Sequence, residues 1–587
     1  MSMGLILLLV VAAGAAWYVF RVRGVPYVAQ GSVLVITLDG KVVDHSERPG
    51  WVRRLATGAA ETSLLDLHAM LEKAAFDDRI RGLLLIVDNP GLGWGKAQEL
   101  VEMLDRFKAR GKEVVAYLES GELLDYAIAA GAAKIVVPQC GWLSFLGLRA
   151  EVTFLKDTLA KAGVEGDFVR FKDYKTAADA LMRSEMSEAH REMLDAILDS
   201  HFASLRGHVA ARRQLPLAAV DELIARGSFL PEEARQLGLV DRIAYLHELL
   251  EDWNDLAGAE RALGKEARAG RRSEVRTVAA DRYERVSARF AGVPKGPTVV
   301  VVAVHGPIAS GESGRPTLLG RAVGARTVVR ALRRARQDRR VRGIVLRVDS
   351  PGGSGVASDL IWAEVRRCLE DKPVVASMSD VAGSGGYYIA MAAKRIVAHS
   401  MTITGSIGVI GGKFAIPGML DRLAANKVVI SRGRYSQMYS SSRRFSDDER
   451  ELVTRTIRSF YDSFVQKVGE CRSMSAEDVD AVAGGRVWTG EQACARGLVD
   501  ERGGLSKALD VLREEMRLPS EMPLRLAPFP PQMSPLRRLI AGQLGHDGLL
   551  AALGQAASEA RSAMAVFRDG EALAIAEAVP VIPGRTP

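Results

Sequence analysis

A serine sits among small residues in Asp380-Val381-Ala382-Gly383-Ser384-Gly385-Gly386-Tyr387-Tyr388-Ile389-Ala390. The apolar run Pro373 to Ser377 precedes it as a strand, and the Ala-rich stretch Tyr387 to Lys394 reads as the helix that follows. A strand, a tight glycine turn and a helix hold a hydroxyl at a helix N-terminus, where backbone N–H groups point at whatever the hydroxyl attacks. By itself Gly-Ser-Gly-Gly is more often an idle turn, because short motifs misfire. A second stretch, Asp349-Ser350-Pro351-Gly352-Gly353-Ser354, follows the run Gly343 to Val348, which reads as a buried parallel strand. Glycine at a strand end lets a backbone N–H approach a substrate closely. Gly353 and Gly385 are therefore candidates to bind the oxyanion of an acyl-transfer intermediate. Two more stretches bear on the serine: Thr402 to Gly408, where Ser406 is a candidate to orient a base, and Asp173-Tyr174-Lys175-Thr176-Ala177 far upstream.

In this order and spacing, four motifs carry a resemblance: Ser350 to Ser354, Ala382 to Ala390, Thr404 to Gly408, and Tyr174-Lys175-Thr176-Ala177. They resemble the signal peptide peptidase A family, also called protease IV, in its long two-repeat form. The likeness runs from the N-terminal apolar segment to roughly Pro519. It implies an α/β fold of tandem Clp-protease/crotonase-like (ββα superhelix) domains behind an N-terminal transmembrane helix. It implies a Ser/Lys dyad, with Ser384 as nucleophile, Lys175 as general base, Ser406 as the lysine-orienting hydroxyl, and Gly353 and Gly385 as the oxyanion hole. It further implies a serine endopeptidase that degrades cleaved signal peptides and other hydrophobic peptides, with no cofactor. The expected setting is a bacterial inner membrane, with an extracytoplasmic body assembled as a bowl-shaped homotetramer.

A serine hydroxyl is a poor nucleophile at neutral pH and needs a base, and Ser/Lys pairs are a known variant of the serine triad. The lysine must be neutral to accept a proton, and burial disfavours an ammonium. Phe171, Tyr174, Ala177 and Ala178 offer apolar walls for Lys175, while neighbouring Lys172 reads as dispensable. His305 and His399 lie in no triad motif, and His305 reads as a turn or core histidine. A crotonase-type acyl-CoA enzyme would use a similar oxyanion hole, but a serine at a helix start and a remote lysine speak against it. A catalytically inactive membrane scaffold is opposed by the intact set of Ser384, Lys175, Gly353 and Gly385.

The elements that must position these residues occur twice. Strands read at Ser32 to Leu38, Arg81 to Val87 and Val114 to Leu118, with helices at Ser63 to Ala75 and Gly95 to Arg110. The pattern returns with a strand at Thr298 to Val304, a helix at Ala325 to Ala335, and Val341 to Leu346 copying Ile80 to Leu85. Gly82 and Gly343 fix the shift at 261 residues, and Asp88/Asp349, Pro90/Pro351, Gly91/Gly352 and Tyr126/Tyr387 keep it. Strands alternating with helices indicate parallel βαβ units, here a duplicated domain. At that shift Leu123 stands where the second repeat has Ser384, Phe145 where it has Ser406, and Leu92 where it has Gly353. Conversely, Ser436 stands where the first repeat has Lys175. Each repeat holds half a site.

The chain of 587 residues is long enough for two or three cores, and its 48% hydrophobic and 26% charged residues are those of a globular protein. A net charge of +8 spread over 79 basic and 71 acidic residues gives no reading of nucleic-acid binding. The four cysteines form no C-x-x-C pair and no zinc-ligand spacing; Cys140 and Cys368 read as small core residues. Met1 to Phe20 carries no charged side chain and is followed by Arg21 and Arg23, so residues 1–23 read as an uncleaved membrane anchor rather than a signal peptide. Those arginines favour a cytoplasmic body by the positive-inside rule, in conflict with the orientation that the resemblance implies. The remaining division is a first repeat at 31–255, a helical linker at 256–295, a second repeat at 296–519 and a C-terminal extension at 520–587, in which Leu536 to Phe567 is amphipathic.

Overall fold

The computed structural model describes residues 27–46, 61–251, 253, 275–314, 316–317, 320–529, 573–575 and 582–583. Among them no helix is long and apolar enough to cross a membrane. The anchor read at residues 1–23 and the amphipathic stretch Leu536 to Phe567 lie outside the described residues.

The first repeat is built on β1 (Ser32–Val43), β2 (Ile80–Gly91), β3 (Glu113–Leu118) and β4 (Lys134–Val137). A further strand, β5 (Glu165–Arg170), leaves this sheet for another, whereas β6 (Arg242–Ile243) and β7 (Thr277–Ala279) return to it. The order is β6-β4-β3-β2-β1-β7, every neighbour parallel. Runs such as Leu83-Leu84-Leu85 are buried because helices cover both faces. One face packs on α1 (Leu64–Phe76), α2 (Trp94–Ala109) and α3 (Leu123–Ala129); the other is closed by Leu249 and Trp253.

The second repeat uses β8 (Thr298–His305), β9 (Val341–Ser350), β10 (Gly352–Ser354), β11 (Val374–Gly383), β12 (Arg395–Ala398), β13 (Ile403–Gly405), β14 (Ile410–Ala415), β15 (Val487–Thr489) and β16 (Arg525–Phe529). Its main sheet runs β15-β13-β11-β9-β8-β16, with β12 also paired to β11. The helices that matter for the site are α4 (Gly355–Leu369), which follows β10, and α5 (Gly385–Ala390), which follows β11. Ser354 caps α4, its hydroxyl accepting from Ala357 N.

A third sheet joins the repeats. β14 pairs antiparallel with β5, so Ile410 faces Arg170 and Ala415 faces Glu165. Between β14 and β10 lies β17 (Leu573–Ile575), antiparallel to both, with Ala574 opposite Gly353.

Several expectations are corrected. β11 runs six residues past Ser377, because Val381 to Gly383 go on to pair with Ile403 to Gly405. The helix read from Tyr387 to Lys394 is Gly385–Ala390; it begins at the two glycines and stops earlier. The linker read at 256–295 contributes β7 to the first sheet, and β16 extends the second sheet beyond Pro519. Cys140 is exposed rather than in a core, whereas Cys368 is buried.

Candidate active site

Ser384 stands at the corner between β11 and α5 with φ 54° and ψ −113°. A non-glycine residue with positive φ costs about 1–3 kcal/mol and persists only where its surroundings fix it. Two backbone bonds do so: Ser384 N donates to Gly405 O at 2.8 Å, and Tyr388 N donates to Ser384 O at 2.8 Å. The corner turns the hydroxyl away from the strand and into a buried space, where Ser384 is fully enclosed.

Lys175 reaches that space from the first repeat, on the segment after β5. Its Nζ donates to Ser384 Oγ at 2.7 Å, to Ser406 Oγ at 2.9 Å and to Ser406 O at 3.1 Å. These are the three acceptors an ammonium can use; in the neutral amine, the lone pair is available to the Ser384 hydroxyl instead. Lys175 is only 1% exposed. Ser406 also has a positive φ of 52° and is held by its N–H on Arg486 O at 2.7 Å. Lys172, the neighbour expected to be dispensable, points away and pairs with Asp480 at 2.8 Å on an exposed face.

The expected oxyanion glycines meet beside the serine. Gly353 has φ +150°, and a Cβ there would lie 2.1 Å from Ile308 O, so only glycine fits. A Cβ on Gly385 would lie 2.6 Å from Ser358 Oγ and 3.2 Å from Gly353 N. The two glycine backbones therefore pack against one another beside the serine.

Gly485 went unnoticed in the sequence. It has φ +90°, and a Cβ there would fall within 2.6 Å of Lys175 N, Cα and Cβ. Its only sequence signal is the pair Gly484-Gly485 ahead of β15.

The matching corner of the first repeat is filled with hydrocarbon. Leu123 is buried, and Phe145 packs edge-on between Tyr126 (4.8 Å between ring centroids) and Phe229 (5.6 Å). Ser436, in the place of the lysine, is exposed and donates to Gly433 O. Of the histidines, His305 Nδ1 lies 3.2 Å from Asp349, and His399 is buried 3.6 Å from Glu102.

A serine buried at a strained strand-to-helix corner, in contact with a buried amine and with two glycine backbones packed beside it, has the parts a serine hydrolase uses. The model of peptidase family S49 matches residues 106–260 and 367–518. The chain is 32% identical over 535 residues to the chloroplastic serine protease SPPA of Arabidopsis thaliana, covering 90% of this chain and 76% of that protein. It is 30% identical over 508 residues to protease 4 of Salmonella typhi, covering 84% and 79%. A solved ClpP1 variant from Listeria monocytogenes aligns with 36% of this chain and 94% of its own at 15% identity, with a TM-score of 0.24. The chain belongs to peptidase family S49, as a serine protease of the SppA/protease 4 kind.

Proposed function

We propose that this protein is a membrane-anchored serine endopeptidase that cleaves hydrophobic peptides, including signal peptides left after secretion, with Ser384 as nucleophile and Lys175 as general base. The observation that carries this reading is the 2.7 Å contact between Lys175 Nζ and Ser384 Oγ, made across two repeats with neither side chain open to solvent.

In this reading an extended peptide enters between β10 and β14. The strand Leu573–Ile575, which runs antiparallel to both, supports a groove of that shape. Ser384 Oγ passes its proton to neutral Lys175 and attacks the scissile carbonyl. The developing oxyanion takes the N–H groups of Gly353 and Gly385. Ser406, through its hydroxyl and carbonyl, holds the ammonium that forms. Lys175 then protonates the leaving amine, and water clears the acyl-enzyme by the same steps in reverse.

The anchor at residues 1–23, an extracytoplasmic body and a homotetramer are part of the same proposal. A surface for a second copy is offered by Val428 and Ile430, 85% and 84% exposed. At the repeat shift they match Asp167 and Val169, which are buried where β5 pairs with β14.

The test is turnover of a hydrophobic peptide, together with labelling by a serine-directed fluorophosphonate. Ser384→Ala should lose both, and Lys175→Ala should lose turnover, while Lys172→Ala stays near wild type. Turnover of the wild type should rise with pH as the amine loses its proton. Near-normal turnover by Ser384→Ala at unchanged thermal stability would remove the reading.

A further inference from the structure

The roots of both site turns converge on one ammonium. Asp349 is the residue before the turn that carries Gly353, and Asp380 lies four residues before Ser384 on β11. Lys96, on α2 of the first repeat, is 4% exposed and places Nζ 2.6 Å from Asp349 Oδ2, 2.6 Å from Asp380 Oδ2 and 3.6 Å from Asp44 Oδ2. The carboxylates are tied down further. Asp380 accepts from the backbone N–H groups of Lys96 (2.8 Å) and Gly93 (3.1 Å), and so caps α2 from the other repeat. Asp349 accepts from Val381 N at 3.1 Å and faces His305 at 3.2 Å. Asp44 is shared with Arg347, which also holds Glu99, Ser377 and Ser379. Burial favours the neutral amine of Lys96, but Asp349, Asp380 and Asp44 outweigh it and keep the side chain protonated. Asp44, His305 and Asp349 also have the spacing of a cation site, and the Lys96 ammonium already lies against its two carboxylates.

The duplication separates this arrangement from generic features of the fold. At the shift of 261 residues the counterparts of Asp349 and Asp380 are Asp88 and Glu119, both exposed, and the counterpart of Lys96 is Ala357. Ser354, the cap of α4, corresponds to Gly93, which has no side chain to cap with; Asp380 provides that cap instead. Among the described residues the Lys96 bridge has no counterpart at the matching positions of the duplication; it belongs to the junction between the repeats, which also brings Lys175 to Ser384.

We propose that Lys96 is a positioning residue: its ammonium, bridging Asp349 and Asp380, fixes the turn bearing Gly353 relative to the corner bearing Ser384. The first repeat then contributes two lysines with separate tasks, Lys175 at the hydroxyl and Lys96 beneath the oxyanion donors. This rests on the peptidase reading above, so Ser384→Ala is measured alongside: loss of labelling there keeps that reading standing whatever Lys96 does.

The experiment compares Lys96→Met with the double variant Lys96→Met/Asp380→Asn in the full chain. Each is scored for thermal stability, kcat and KM on a hydrophobic peptide, and affinity for a peptide boronate, which forms the tetrahedral adduct. Lys96→Met strands buried carboxylates and should lower stability; the double variant removes one of them and should regain most of the lost Tm. Misplacing the oxyanion donors by about 1 Å costs about 100-fold in rate. The expected result is that kcat and boronate affinity fall together by about that factor in both variants, with KM within about twofold of wild type. Recovery of kcat together with Tm in the double variant would overturn the proposal, as would a folded Lys96→Met enzyme with wild-type kcat.

Discussion

At the scale of the residue, the site depends on a few side chains held where they would not rest alone. Ser384 and Ser406 both have positive φ, and the N–H of each is held by a carbonyl of the second repeat, Gly405 O at the end of β13 and Arg486 O in the loop before β15. Gly385 and Gly353 could be picked out from sequence because chemistry and motif agreed on them. Gly485 could not, since its reason is the backbone of Lys175, 310 positions earlier in the chain. Buried titratable groups outside the site make their own prediction. His201 is 1% exposed, and burial pushes its pKa down to about 4. In the unfolded chain it binds a proton below about 6.5. The stability it contributes is therefore complete above that value and is lost as pH falls towards 4, by about 3 kcal/mol at most. The Tm of wild type should fall faster than that of His201→Gln between pH 7 and pH 4; parallel curves would contradict the assignment.

At the scale of the element, most strands and helices were legible, because apolar runs such as Leu83 to Val87 and Ile344 to Leu346 are explained by burial between helices on a central sheet. What the runs do not encode is how far pairing continues. β11 reaches Gly383 through polar and small residues because β13 offers a partner there. β7 and β16 are short edge strands whose identity comes from the sheet they join, so nothing local marks them. The loop Ala483 to Arg486 is similarly decided elsewhere: it seats Lys175, with Gly485 N donating to Ile407 O and Arg486 O accepting from Ser406 N. Gly485→Ala should strain that loop at its positive φ and press on Lys175. We expect a loss of about 1–3 kcal/mol in stability and a fall in kcat of about 100-fold. Chemical denaturation and steady-state turnover measure the two; a drop in stability with kcat intact would detach this loop from the lysine.

At the scale of the whole molecule, the duplication was readable from Gly82/Gly343 and Asp88/Asp349, and so was the placing of the candidate serine and lysine in opposite halves, since Leu123 and Ser436 stand at the matching positions. The physical junction was not readable: the pairing of β5 with β14 and the seating of α2 against β11 join residues that share no pattern. The strand Leu573–Ile575 is the extreme case, a triplet that takes its place beside Gly353 through backbone pairing. If the groove proposed for the peptide is the one this strand fills, its covalent attachment makes occupancy an internal equilibrium, set by effective concentration rather than by how much enzyme is present. An incoming peptide binds only the open fraction, so its apparent affinity is lowered by that fraction. A chain ending at Phe529 should react with fluorophosphonate faster than the full chain, and the ratio of the two rates should stay constant over a hundredfold dilution, roughly the range that separates tethered from bimolecular inhibition. Equal rates would mean the strand leaves freely; a ratio that shrinks on dilution would mean the blocking segment comes from another copy. A tethered occupant cannot be diluted away, so only excess peptide or a cut in the tether would release this groove.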